Sequence, residues 1–233
     1  MLEHSHPHIE EHSRLSTLIR DSVIGLADGL TVPFALAAGL SGATNTTLLI
    51  VTAGVAEIAA GAIAMGLGGY LAARTDADRY RSELQREWRE VTEVPEIEAQ
   101  EVTDILEDYG LPHAEALMVT TALRQNPVRW VEFMMRFELG LEKPNPKALL
   151  HTPLTIGVAY ILGGFIPLLP YILYSSATEA LPISIIMTLC ALALFGALKG
   201  HFTGISKLKA SLQTTAIGGL AATVAYSVAS LIM

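Results

Sequence analysis

Hydrophobic and polar positions along this chain are sorted into blocks. Apolar runs at residues 22–41, 46–72, 149–174, 180–198 and 211–232 each come near the ~20 residues that an α-helix needs to cross a bilayer. They predict five transmembrane helices. Between the second and third runs, residues 74–147 turn polar. A helical stretch from Thr75 is broken at Pro95 and ended by Gly110, a second helix covers 111–125, and a third covers 130–141 before Pro144 and Pro146. No Pro or Gly interrupts residues 70–94, so the first polar helix is expected to continue the second span. The expected fold class is all-α: a polytopic membrane protein with five transmembrane helices and a three-helix insert. Its domains are a tail at 1–21, spans at 22–73, the insert at 74–147 and spans at 148–233.

Composition agrees with that pattern. Over 233 residues, 51% are hydrophobic and 16% charged, with a positive mean hydropathy, a balance that soluble domains rarely reach. The insert holds 16 of the 23 Asp and Glu and 10 of the 15 Lys and Arg, a net charge of −6. Threading five spans puts all 15 Lys and Arg on one side, because the loops SGATN and SSATEA contain none. The positive-inside rule then assigns the N-terminus and the insert to the cytosol. The first 21 residues show no apolar core or cleavage site of a signal peptide. Pro182 is expected in the first turn of the short fourth span, where proline is tolerated. The sequon Asn45-Thr46-Thr47 sits in a loop too short to stand clear of the membrane and is expected to be unmodified. Cys190 has no intrachain partner.

Three residues do not suit an inert anchor. Asp28 lies in the first span, and Glu57 and Met65 lie in the second. An Asp at the centre of a membrane helix costs roughly 2.5 to 3.5 kcal/mol on insertion scales, so it normally faces a partner or a wet pathway. Pro33, a turn beyond Asp28, is expected to break the helix and free the Gly29 carbonyl. In the insert, Glu87 and Glu90, and Glu98 and Glu101, are spaced i,i+3, while Met134 and Glu138 are spaced i,i+4. Carboxylates with a thioether suit divalent transition metals. The same spacing suits a solvated, salt-bridged face, with Met134 in a core. His4, His6, His8 and His12 form a tract that either binds metal or is a polar tail.

The strings RDSVIGLADGLTVPFALAAGLSG, EIAAGAIAMGLGGYLAA, NPVRWVEFMMRFELGLEKPNP and LTIGVAYILGGFIPLLPY closely resemble the vacuolar iron transporter family over nearly the whole chain beyond the His-rich start. The resemblance implies five membrane helices, a cytosolic metal-binding domain between the second and third, and a homodimer with the ion path between subunits. It implies proton-coupled export of Fe2+ from the cytosol, with Mn2+ and other divalent ions such as Co2+ and Zn2+ also carried, and no prosthetic group. Carried over by position, the pathway residues are Asp28, Glu57 and Met65, and the metal cluster is Glu87, Glu90, Glu98, Glu101, Met134 and Glu138. The implied partners are metal ions, protons, lipid and a second copy, not nucleic acid. The membrane is vacuolar in a eukaryote and the inner membrane in a bacterium. The competing reading is a membrane-anchored metal sensor or buffer without transport. An enzyme is not expected, because the chain has no HExxH helix, phosphate loop or nucleophile and base pair.

Overall fold

The computed structural model describes the backbone of residues 8–232 and the side chains of residues 17–232. His4 and His6 lie outside the described residues, as do the side chains of His8 and His12. Eight helices are described: α1 (His8–Ala43), α2 (Thr47–Glu93), α3 (Pro95–Asp108), α4 (His113–Arg124), α5 (Pro127–Phe137), α6 (Ala148–Leu173), α7 (Ala177–Thr203) and α8 (Lys207–Ile232). Five of them, α1 from Thr17, α2, α6, α7 and α8, are long and apolar enough to cross a membrane. The chain divides into two compact units, one made of residues up to Tyr70 with those from Leu150, the other Leu71–Leu149.

The first unit reverses the usual arrangement of a soluble protein. Large apolar side chains point outward along its helices, Leu48, Leu150 and Leu231 being 74%, 69% and 85% exposed. A surface this apolar suits lipid as its solvent. Small, aliphatic and aromatic residues fill the interior, as where Ala37, Ile50, Ile58, Leu168, Tyr171, Ala177 and Ala180 pack together. Helix α1 packs closely on α6, and Gly29 is the reason. A Cβ there would stand 2.8 Å from the Tyr160 Cα, closer than two carbons approach, so only glycine permits the contact.

Two details differ from the sequence reading, and the break expected at Pro95 is present. Helix α1 runs unbroken through Pro33, because the missing proline N–H removes one hydrogen bond while packing holds the turns on either side. Helix α7 starts at Ala177, so Pro182 lies inside it and not in its first turn. The polar stretch from Thr75 belongs to two helices: α2 ends at Glu93, and Pro95 opens α3 at its first position, where the lost N–H has no helical partner anyway. The insert therefore contains the end of α2 and three separate short helices.

The α1–α2 turn also supplies the cap of α7. Ser176, the α7 N-cap residue, makes no side-chain cap. Its Oγ instead donates to Asn45 Oδ1 at 3.0 Å, which also accepts from the Thr178 N–H at 3.0 Å and the Thr178 hydroxyl at 2.8 Å. The Ala177 N–H donates to the Asn45 carbonyl at 3.3 Å. A distant residue thus satisfies amides that a helix start leaves without partners.

In the second unit, α5 begins at Pro127, three residues before the predicted start, because Asn126 caps it by accepting from the Arg129 N–H at 3.2 Å. Val91, Ala99, Val102, Trp130, Val131, Met134 and Met135 form the core. Burial of this apolar set brings the end of α2, α3 and α5 together.

Candidate metal centre and membrane carboxylates

The core of the second unit fixes where its acids go. Val91 on α2, Ala99 and Val102 on α3, and Met134 and Met135 on α5 are buried together, so acids a turn or less away along each helix converge. One carboxylate oxygen each from Glu87, Glu90 and Glu98 lies within 4.8 Å of the others, and the same holds for Glu98, Glu101 and Glu138. Glu98 belongs to both groups. Five of the six insert residues singled out by spacing are thereby gathered at one place from three elements. Met134 is fully buried in the core, one turn before Glu138.

Two of these carboxylates are in an unusual state. Glu87 is 0% and Glu98 4% exposed, and the Oε2 atom of each is buried without a hydrogen-bond partner. An unsatisfied buried carboxylate oxygen is costly. Burial first, then repulsion from Glu138 and Glu90, pushes Glu87 up to about 7. Burial, with Glu101, Glu87, Glu90 and Glu138 adding to it, pushes Glu98 up to about 7. Burial and then the neighbouring Glu101 carboxylate raise Glu138 as well. Several hard oxygen donors, two of them buried and without a donor of their own, form a set that fits a divalent cation. The adjacent Arg86 supplies partial compensation, donating to Glu90 at 3.2 Å and to Glu87 at 3.4 Å.

In the first unit, Asp28, Glu57 and Met65 are all half-buried, and no carboxylate cluster of the kind found in the second unit forms among its described residues. Glu57 is engaged across the bundle. The Tyr160 hydroxyl on α6 donates to Glu57 Oε1 at 2.5 Å, while Glu57 Oε2 is buried without a partner. Tyr160 is 2% exposed, and its ring fits because position 61 is glycine: a Cβ there would collide with the phenol.

Sequence reasoning missed two residues of this region. Tyr160 lies in an apolar run and reads as ordinary core; only the fold shows its hydroxyl on a membrane carboxylate. Asp21 lies at the edge of the first span beside Arg20 and reads as a boundary charge. It is 1% exposed, bonded to Arg20 at 3.2 Å, with Oδ2 buried and unpartnered. The spacing of Asp21 and Asp28, two helical turns, was the available signal.

Comparisons with known proteins extend this picture. The model of the VIT family matches residues 19–230. The chain is 52% identical over 232 residues to vacuolar iron transporter 1 of Arabidopsis thaliana, covering 100% of this chain and 92% of that protein. It is 53% identical over 222 residues to vacuolar iron transporter 2 of Oryza sativa subsp. japonica, covering 95% of this chain and 90% of that protein. It is 37% identical over 217 residues to protein CCC1 of Saccharomyces cerevisiae, covering 90% of this chain and 67% of that protein.

Proposed function

Because the chain belongs to the VIT family, we propose that it is a multi-pass membrane transporter that carries iron out of the cytosol in exchange for protons. Relatives named as vacuolar iron transporters support iron as the cargo and a vacuolar membrane as the site. Manganese, cobalt and zinc are further cargo of the same charge and similar ligand preference. The observation that carries the reading is the gathering of Glu87, Glu90, Glu98, Glu101 and Glu138, with two buried oxygens lacking donors.

In this reading the second unit faces the cytosol and collects the ion on its carboxylates, with the Met134 thioether available to softer metals. Its buried acids must give up protons to do so, which makes loading a competition between metal and proton. The ion then passes along Asp28, Glu57 and Met65, with Asp21 as a further carboxylate on the first helix. Tyr160 holds Glu57 in place and offers it a proton donor. Asp28 is the exchange site, where metal and proton compete for the same oxygen lone pairs. Two copies of the chain enclose the path, since five helices are few to surround a polar route.

A membrane-anchored sensor or buffer would need the acidic cluster but not half-buried carboxylates within the spans. Purified protein in liposomes distinguishes the two. Fe2+ entry accompanied by opposite proton movement is expected, and Asp28→Asn should abolish both while metal binding by the second unit persists. Met65→Leu keeps volume and should slow iron through loss of sulfur. Normal exchange by well-folded Asp28→Asn would eliminate the proposed exchange site.

A further inference from the structure

Arg86 is placed where a metal site would not be expected to tolerate a positive charge. Its guanidinium reaches three carboxylates at once: Nε to Glu90 Oε2 at 3.2 Å, Nη2 to Glu87 Oε1 at 3.4 Å and Nη1 to Glu83 Oε2 at 3.0 Å. Glu87 and Glu90 belong to the acidic cluster, but Glu83 does not. The Glu87 carboxylate is divided, one oxygen on Arg86 and the other buried without a donor. Glu98 contributes a second such oxygen. Arg86 is 42% exposed and its shortest contact is the one to Glu83 at 3.0 Å, so it can release Glu87 and Glu90 while keeping that partner.

We propose that Arg86 is a built-in counter-ion of the metal site, holding the ligands Glu87 and Glu90 in the ion-free state and withdrawing onto Glu83 when a divalent ion enters. This rests on the reading of the acidic cluster as a metal centre. The chemical logic is a trade. A cluster of carboxylates with no cation repels itself, and a resident guanidinium relieves part of that repulsion. The same charge opposes an arriving ion, so affinity is set below what the carboxylates alone would give. For a site that must hand its ion onward, moderate affinity is the useful property. Arg86 is thus a positioning and affinity-setting residue, not a ligand. Glu83, one turn before it, makes the withdrawal possible by accepting the displaced charge.

The test uses the full-length protein in detergent, with Mn2+ as the probe and free Mn2+ followed by electron paramagnetic resonance. Arg86→Gln is expected to bind Mn2+ about tenfold tighter or more at low ionic strength, with the difference shrinking as salt screens the lost charge. Arg86→Lys keeps the charge and should stay near the wild-type affinity. In vesicles Arg86→Gln should lower both KM and kcat, since the ion loads easily and leaves slowly. Glu83→Gln removes the refuge and should weaken binding, which tests the idea independently if Arg86→Gln does not fold. Unchanged or weaker binding by folded Arg86→Gln, or unchanged or tighter binding by Glu83→Gln, would overturn the proposal. The double variant Glu87→Gln, Glu98→Gln separates the two levels. If it binds Mn2+ like the wild type, the metal-centre reading fails as well; if its binding is lost while Arg86→Gln is not tighter, only the counter-ion role fails.

Discussion

Glu87 and Glu98 carry a protonation behaviour that can be measured without any ion present. In an unfolded chain each titrates near 4.5, whereas in the folded unit each is pushed up to about 7. Between those values the folded state holds protons that the unfolded state has released. The stability these groups contribute is therefore greatest below about 4.5 and is lost as pH rises through 7. We expect the metal-free second unit to unfold at a lower temperature at pH 7.5 than at pH 5.5, and Glu87→Gln to flatten that dependence. Both tryptophans of the chain, Trp88 and Trp130, lie in this unit, so their fluorescence reads it in the intact protein. Added metal should reverse the loss at pH 7.5, and binding at pH 6.5 should release protons to the buffer. At Tyr160 the relevant group is a single hydroxyl. Tyr160→Phe keeps the ring between its glycine neighbours but leaves Glu57 without its donor. Losing that donor leaves both Glu57 oxygens without a partner, so transport per folded molecule should fall. Transport at the wild-type rate would remove Tyr160 from the path.

Helices are held here by residues outside themselves. The start of α7 depends on Asn45 in the α1–α2 turn, so Asn45→Ala should destabilise the protein by about 1 to 2 kcal/mol, the worth of a good N-cap. Asn45→Asp keeps an acceptor oxygen and should recover most of it, as thermal unfolding in detergent would show. Helix α1 meets α6 through Gly29, and Gly29→Ala would push a Cβ into the Tyr160 backbone. Backbone cannot move aside as a flexible side chain can, so a loss of several kcal/mol, at the upper end for overpacking, is expected. Much of this level was legible. Apolar blocks located all five long helices, and Pro95 marked the break between α2 and α3, whereas the Asn126 cap that starts α5 went unread. The unbroken course of α1 through Pro33 and the early start of α7 were not legible, because packing and a cap from a remote turn decided them.

At the scale of the whole chain, the distribution of basic residues makes a directional claim. A tag at the N-terminus or within residues 74–147 should be reached by reagents from the cytosolic side, and one after Met233 only from the other. Labelling of both termini from the same side would refute the five-span orientation. Enclosure of the pathway by two copies predicts that single cysteines placed along α1 near Asp28, with Cys190 replaced by Ser, crosslink between subunits. A monomer with full transport activity in vesicles would refute the shared path.

The sequence by itself determined the solvent of each segment, because long apolar runs and a charge-dense insert leave few ways to satisfy lipid and water. Helical spacing also paired Glu87 with Glu90, Glu98 with Glu101 and Met134 with Glu138, either as ligands or as a solvated face, and the family resemblance selected the six as a metal cluster. Tertiary structure decided which faces meet. Only packing of Val91, Val102, Met134 and their neighbours brings those acids into two triplets sharing Glu98, each within 4.8 Å, and strips water from Glu87 and Glu98. Only the fold sets Tyr160 on Glu57, 103 positions away in sequence, and Arg86 among three carboxylates, because burial and unsatisfied hydrogen bonds arise from neighbours distant along the chain and leave no local pattern.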